Sequence, residues 1–190
     1  RVSSWEINRF IGAAVIPPAC MHPVLKFNEA KIKYPVYASR ACVGPRYLCF
    51  VEPDGFVSLR TLKGQTDDLV RAHGIMSSLP PAVYEFELLH TEHLQEYHEH
   101  SRGQCSKLFR ADEGDIYLHD VIPWDDWGLW KMGTGERAKL LERLELTHPN
   151  MFKVPYYKVE NNIQLADCHE LFLSQGYIRT EVIPSGPYNK

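Results

Sequence analysis

Apolar and polar positions alternate along this chain in short blocks whose period changes several times. Tyr34–Ser39 and Arg46–Val51 are rich in β-branched and aromatic residues and read as two strands. Glu52-Pro53-Asp54-Gly55 carries the residue types of a tight hairpin turn. Phe56–Thr61 then alternates Phe56, Ser58 and Arg60 against Val57 and Leu59, a returning strand. Thr66–Leu79 has helical spacing and stops at Pro80-Pro81, and Val83–His90 reads as a buried strand. Leu94–Phe109 reads as one polar helix and Asp115–Pro123 as a strand. Gly135–Leu146 has the strongest helical pattern, with Leu140, Leu141 and Leu144 on one face and charges on the other. Phe152–Val159 reads as a strand. Asn161–Gly176 reads as a helix that Asn161 or Asn162 caps and Gly176 ends. Arg1–Ala14 is weakly helical through Trp5, Phe10, Ile11 and Ala14, and Ile16-Pro17-Pro18 stops it. Strands and helices in this order predict an α+β domain of mixed α/β layers. The expected division is an extension over 1–20 and one domain over 21–190.

Composition narrows the partners. The chain of 190 residues is 44% hydrophobic and 24% charged, the balance of an ordinary globular domain. No apolar run is long enough to span a bilayer, so no membrane role is expected. The five cysteines are odd in number and form no CxxC, which fits reduced thiols and a cytoplasmic setting. A formal net charge of -3 gives no general attraction to nucleic acid and leaves only a local basic patch for it.

Several clusters carry possible chemistry. His90, His93, His98, His100 and Cys105 crowd together among glutamates, but their spacing matches no standard zinc pattern, so no metal site is expected and a solvated helix and loop is the plainer reading. Three tryptophans fall within Ile122–Trp130. They read as a core ridge or as an exposed platform, with Trp127 and Trp130 as the outward pair for a partner. Asp125 and Asp126 beside them favour a protein partner over nucleic acid. Arg46, Arg60, Lys63 and Arg71 read either as ordinary surface charge or as the lining of a phosphate or DNA groove. Cys42 and Cys49 read as inert buried thiols.

Seven segments, taken in order, resemble the nucleotidyltransferase domain of ATP-dependent DNA ligases, in particular the small viral and phage forms. "FNEAKIKYPVY" is similar to the approach to that family's nucleotide-binding motif, and "ACVGPR" falls where the family has Lys-x-Asp-Gly-x-Arg. "EPDGFVSLRTLKG" resembles the next hairpin, and "YEFELL" stands at Asp-Gly-Glu-Leu. "DIYLHDVIP" resembles the strand that stacks on adenine, while "GERAKLLERL" and "VENNIQLADCHELFLSQGY" resemble the two helices that follow. The resemblance implies a ligase-like, ATP-grasp-like nucleotidyltransferase fold, here without an OB-fold segment.

The departures from the family pattern fall on its chemistry. The family's lysine carries AMP as a phosphoramidate; Ala41 stands at that position, and the adjacent Arg40 stays protonated and is a poor substitute. Val43 replaces the motif aspartate, while Gly44 and Arg46 remain. Phe86 replaces the glycine before Glu87 and is expected to intrude on the ribose site. "GYIRTEVIPSGPYNK" lacks the family's Glu-Gly segment, and Glu181 nearby does not match it residue by residue. The sequence reaches Lys190 without the closing Lys-x-Lys motif. The resemblance thus implies a catalytically inactive pseudoenzyme, phage-encoded and at work in the host cytoplasm. It would bind a protein partner or duplex DNA, as an inhibitor for instance, with no catalytic residue intact and no cofactor. The alternative is the adenylylation domain of an active ligase in a nucleophile-lacking form. ATP and Mg²⁺ would then be its cofactors, with Arg46 on ribose or phosphate and Glu87 on ribose. A nucleotide sensor is a third reading.

Overall fold

The computed structural model describes residues 19–21, 32–61, 69–124 and 132–186. Lys63, Trp127, Trp130 and most of the expected extension lie outside the described residues. Two antiparallel-rich sheets carry the fold. The first has the order β1-β9-β2-β8, built from β1 (Ala19–Met21), β2 (Val36–Arg40), β8 (Tyr157–Val159) and β9 (Thr180–Pro184). The second has the order β4-β3-β5-β6-β7, built from β3 (Arg46–Val51), β4 (Val57–Thr61), β5 (Ala82–Leu89), β6 (Asp115–Pro123) and β7 (Met151–Lys153). Only the β6–β7 pair in the second sheet is parallel. β1 spans the position at which the extension was expected to end, and it pairs with β9.

β5 is buried at every position, as a central strand covered on both faces must be. Its side chains alternate. Tyr84, Phe86 and Leu88 enter a core with Tyr47, Cys49, Leu118 and Met76, and Leu141 joins them from a helix. Glu85, Glu87 and Leu89 fall on the opposite face. Phe86 is therefore a core residue facing away from Glu87, which corrects the expectation that its ring blocks a ribose site. A second core joins Val36, Ala38 and Val182 of the first sheet to Leu165 and Phe172, and Leu89 of β5 reaches it.

Among the described residues there are five α-helices: α1 (Val70–Met76), α2 (Leu94–Glu99), α3 (Arg102–Leu108), α4 (Thr134–Arg143) and α5 (Asn162–Ser174). The Asn161 side chain caps α5 by accepting from the Gln164 amide, and Gly176 follows the helix with φ 94°. Asn162 instead accepts a hydrogen bond from the Tyr34 hydroxyl.

Two elements differ from expectation. The segment 94–109 is two helices, because Ser101 and Gln104 form a capping box that starts a new helix after His100. The segment 152–159 is two strands in different sheets. Pro155 has no amide to donate to a ladder, and the chain crosses there from the second sheet to the first. The Pro53-Asp54-Gly55 hairpin forms as read: the Asp54 carboxylate accepts from the Phe56 amide at 3.0 Å, and Gly55 has φ 89°.

Candidate functional site

The loop between β2 and β3, residues 41–45, crosses from one sheet to the other directly over β5. Gly44 makes this possible. A Cβ there would collide with the Leu88 carbonyl, so only a glycine lets the loop lie against the strand. The Val43 and Gly44 amides then donate to Glu87 Oε2 at 2.9 and 3.0 Å. Glu87 Oε1 accepts from the Arg40 guanidinium and from His119 Nε2, the latter at 2.7 Å. Both oxygens of this fully buried carboxylate are thus engaged. Burial pushes its pKa up, but His119, Arg40 and the Val43 amide outweigh burial and hold it down to about 2.

Arg40 fills the space between the sheets. Its guanidinium carbon lies 4.4 Å from the Tyr177 ring centroid and 5.0 Å from that of Tyr117. Tyr117 belongs to β6, the strand whose sequence resembles the adenine-stacking strand of ligases.

Arg46 makes a second link across the gap. Its Nε donates to Glu85 Oε1 at 2.6 Å, and its Nη1 lies 3.7 Å from Glu181 of β9. Burial would lower its pKa, but Glu85, Cys42 and Glu181 raise it further, so it stays a cation. Burial pushes the Glu181 carboxyl up, against the pull of Arg46 and His119. Burial also raises the Cys42 thiol well above its ordinary value, and Glu87 adds to that, so the free thiol is protonated.

Ala41 is buried, and its amide donates to the Arg179 carbonyl at 3.0 Å. It borders a cleft of about 200 Å³ together with Cys42, Val43, Tyr97, His98 and Arg179. Ala41, Arg46 and Glu87 are therefore neighbours. Arg60 lies on the edge strand β4 at a register position shared with Leu48 and Glu85. Arg71 is tied elsewhere: its guanidinium donates to the Asp112 and Gly114 carbonyls at 3.0 and 2.9 Å. The Asp112 carboxylate accepts from the Arg71 and Ala72 amides at the start of α1. The histidine cluster is spread over separate partners. His90 meets the Arg110 carbonyl, His98 the Gly176 carbonyl, and His93 stacks on Phe109.

Sequence reading gave three central residues no place in the site: Arg40, Cys42, which was read as an inert buried thiol, and His119. Arg40 was weighed only as a nucleophile. His119 reaches the site because the β5–β6 register slips between Glu85 and Phe86, turning it out of the alternation that its neighbours follow. Nothing in the local sequence marks that slip.

No family model matches the sequence, and no curated protein matches it closely enough to count. Solved structures do match. A Lig E DNA ligase, described as binding DNA with a minimal scaffold, aligns with 90% of this chain and 63% of its own at 15% identity and a TM-score of 0.56. The Chlorella virus DNA ligase–adenylate aligns with 85% of this chain and 58% of its own at 16% identity and a TM-score of 0.54. A protein designated Pmar-Lig_Pre aligns with 85% of this chain and 41% of its own at 14% identity and a TM-score of 0.60. The chain has the fold of a DNA-ligase nucleotidyltransferase domain and spans less than two thirds of the length of these proteins. No helix among the described residues is long and apolar enough to cross a membrane.

Proposed function

We propose that this ligase-like domain does not transfer AMP and acts by binding a protein partner. One observation carries the reading: the residues at the nucleotide motifs are bonded to one another. Glu87 is saturated by Arg40, His119 and two backbone amides, and Arg46 is held by Glu85 and Glu181. A ribose or phosphate would have to displace these partners, each a charge-assisted bond, and those to Glu87 are fully buried. Ala41 offers a methyl where a nucleophile is required.

A protein partner is favoured over DNA for a related reason. Arg46 and Arg71, two of the side chains proposed for phosphate contact, are engaged within the protein, and the net charge is -3. A phage origin and an inhibitory role in a host cytoplasm fit this reading. The fold itself supports the second reading, an adenylylation domain using ATP and Mg²⁺, with Arg46 and Glu87 released to the nucleotide.

Binding to nicked and to intact duplex DNA over a salt series tests the choice of partner. Absence of binding at low salt is the expected result. Affinity that falls steeply with salt would reveal phosphate contacts and make DNA the partner.

A further inference from the structure

Cys42 has no part in the ion pairs described above, yet its thiol points into them. Its Sγ lies 3.2 Å from His119 Nε2, and Glu87 Oε1 lies 2.7 Å from the same nitrogen. The three donor atoms all lie within 4.8 Å of one another. A nucleophilic relay of thiol, imidazole and carboxylate uses the two ring nitrogens for two different partners. Here both partners converge on one nitrogen, while the buried Nδ1 has no hydrogen-bond partner. One nitrogen cannot take a proton from the thiol while it donates to the carboxylate, so the three groups do not form a relay. A sulfur, an imidazole nitrogen and a carboxylate oxygen gathered about one point match the donor set of a borderline-soft divalent cation.

We propose that Cys42, Glu87 and His119 bind a zinc ion. The lone pair of Glu87 Oε1 that now accepts from His119 takes the metal, and Arg40 keeps its own bond to that oxygen. To present its Nε2 lone pair to the metal, the ring moves its proton to Nδ1, where the protein offers no acceptor. The thiol loses its proton to solvent as the metal–sulfur bond forms, so binding tightens with rising pH. Charge favours the ion. With His119 neutral, as a metal ligand must be, three carboxylates, Glu85, Glu87 and Glu181, face two guanidiniums, Arg40 and Arg46, leaving one negative charge over. A divalent ion with a thiolate adds one positive charge and closes the balance. Cys42 also borders the 200 Å³ cleft, which gives the metal an entry path from the thiol's side. The ion would pin the 41–45 loop to β5 and β6, where ligases hold a nucleotide.

The test loads the whole chain with zinc under reducing conditions, measures stoichiometry, and reads the ligand shell by X-ray absorption. The expected result is one zinc per chain, with one sulfur at about 2.3 Å and nitrogen or oxygen at about 2.0 Å. Cobalt in place of zinc should give a sulfur-to-metal charge-transfer band that Cys42→Ser abolishes. That substitution should weaken zinc by more than about a hundredfold, since even outer partners of a ligand are worth ten- to a hundredfold. Circular dichroism checks that Cys42→Ser folds, and the absorption measurement on the unaltered chain stands if it does not. Less than stoichiometric zinc, a shell without sulfur or with several, or unchanged affinity in a folded Cys42→Ser each overturns the proposal.

Discussion

Arg40 on β2 and Glu87 on β5 form an ion pair across the gap between the two sheets, with side chains only 5% and 0% exposed. The pair fastens one sheet to the other. Removing one member of such a pair strands the other charge, a loss of about 3–5 kcal/mol. Arg40→Met is therefore expected to lower stability by that order in urea denaturation, with the m-value unchanged. Arg40→Met combined with Glu87→Gln is expected to lose less than the two single variants together, because the second change removes the stranded charge.

Glu181 gives a pH dependence of definite sign. Burial raises its pKa above the ordinary 4.5; Arg46 and His119 oppose this, while Glu85 and Glu87 add to it. The folded chain then binds its proton more tightly than the unfolded chain does. Its contribution to stability is greatest below pH 4.5 and is lost as pH rises from there through the folded value. Glu181→Gln should flatten that part of the stability–pH curve and raise stability at neutral pH. Thermal melts of both proteins at several pH values measure this.

Gly44 is held by contact with backbone. The Leu88 carbonyl occupies the place of its missing Cβ, and the Leu88 amide donates to the Pro45 carbonyl at 3.1 Å. Neither strand nor loop can yield without breaking the two amide bonds to Glu87. Gly44→Ala is expected to cost about 3 kcal/mol or more, seen as a large fall in melting temperature. Gly74, whose Cβ would meet nothing, serves as the control and should tolerate alanine.

At the start of α5, Asn161→Ala removes the side-chain oxygen that accepts from Gln164 and should cost about 1 kcal/mol in chemical denaturation.

Local rules made that cap legible, together with the Asp54-Gly55 turn and the strands that hold to one period. The all-buried run of β5 also declared its central place. What local rules missed depended on distant partners. The bulge that turns His119 toward Glu87 is a property of two paired strands. The split of 152–159 between two sheets needed Pro155 to be read as a crossing point. Phe86 and Glu87 stand side by side in sequence but on opposite faces of β5, so a motif read as a string misjudged which one faces the site. Ala41, Arg46 and Glu87 were singled out in the sequence, whereas the grouping of Arg40, Cys42 and His119 with them emerged only once both sheets were assembled.

In the function proposed above, Arg40, Glu87, Arg46 and Glu181 close the space between the sheets and adenylyl transfer does not occur. The most direct measurement incubates the chain and its Ala41→Lys variant with ATP and Mg²⁺ and reads intact mass, alongside calorimetric titration of ATP. No added AMP is expected on either protein and no heat of nucleotide binding, because restoring the lysine leaves Glu87 and Arg46 bonded elsewhere. A covalent AMP on either protein, or saturable ATP binding, would contradict it.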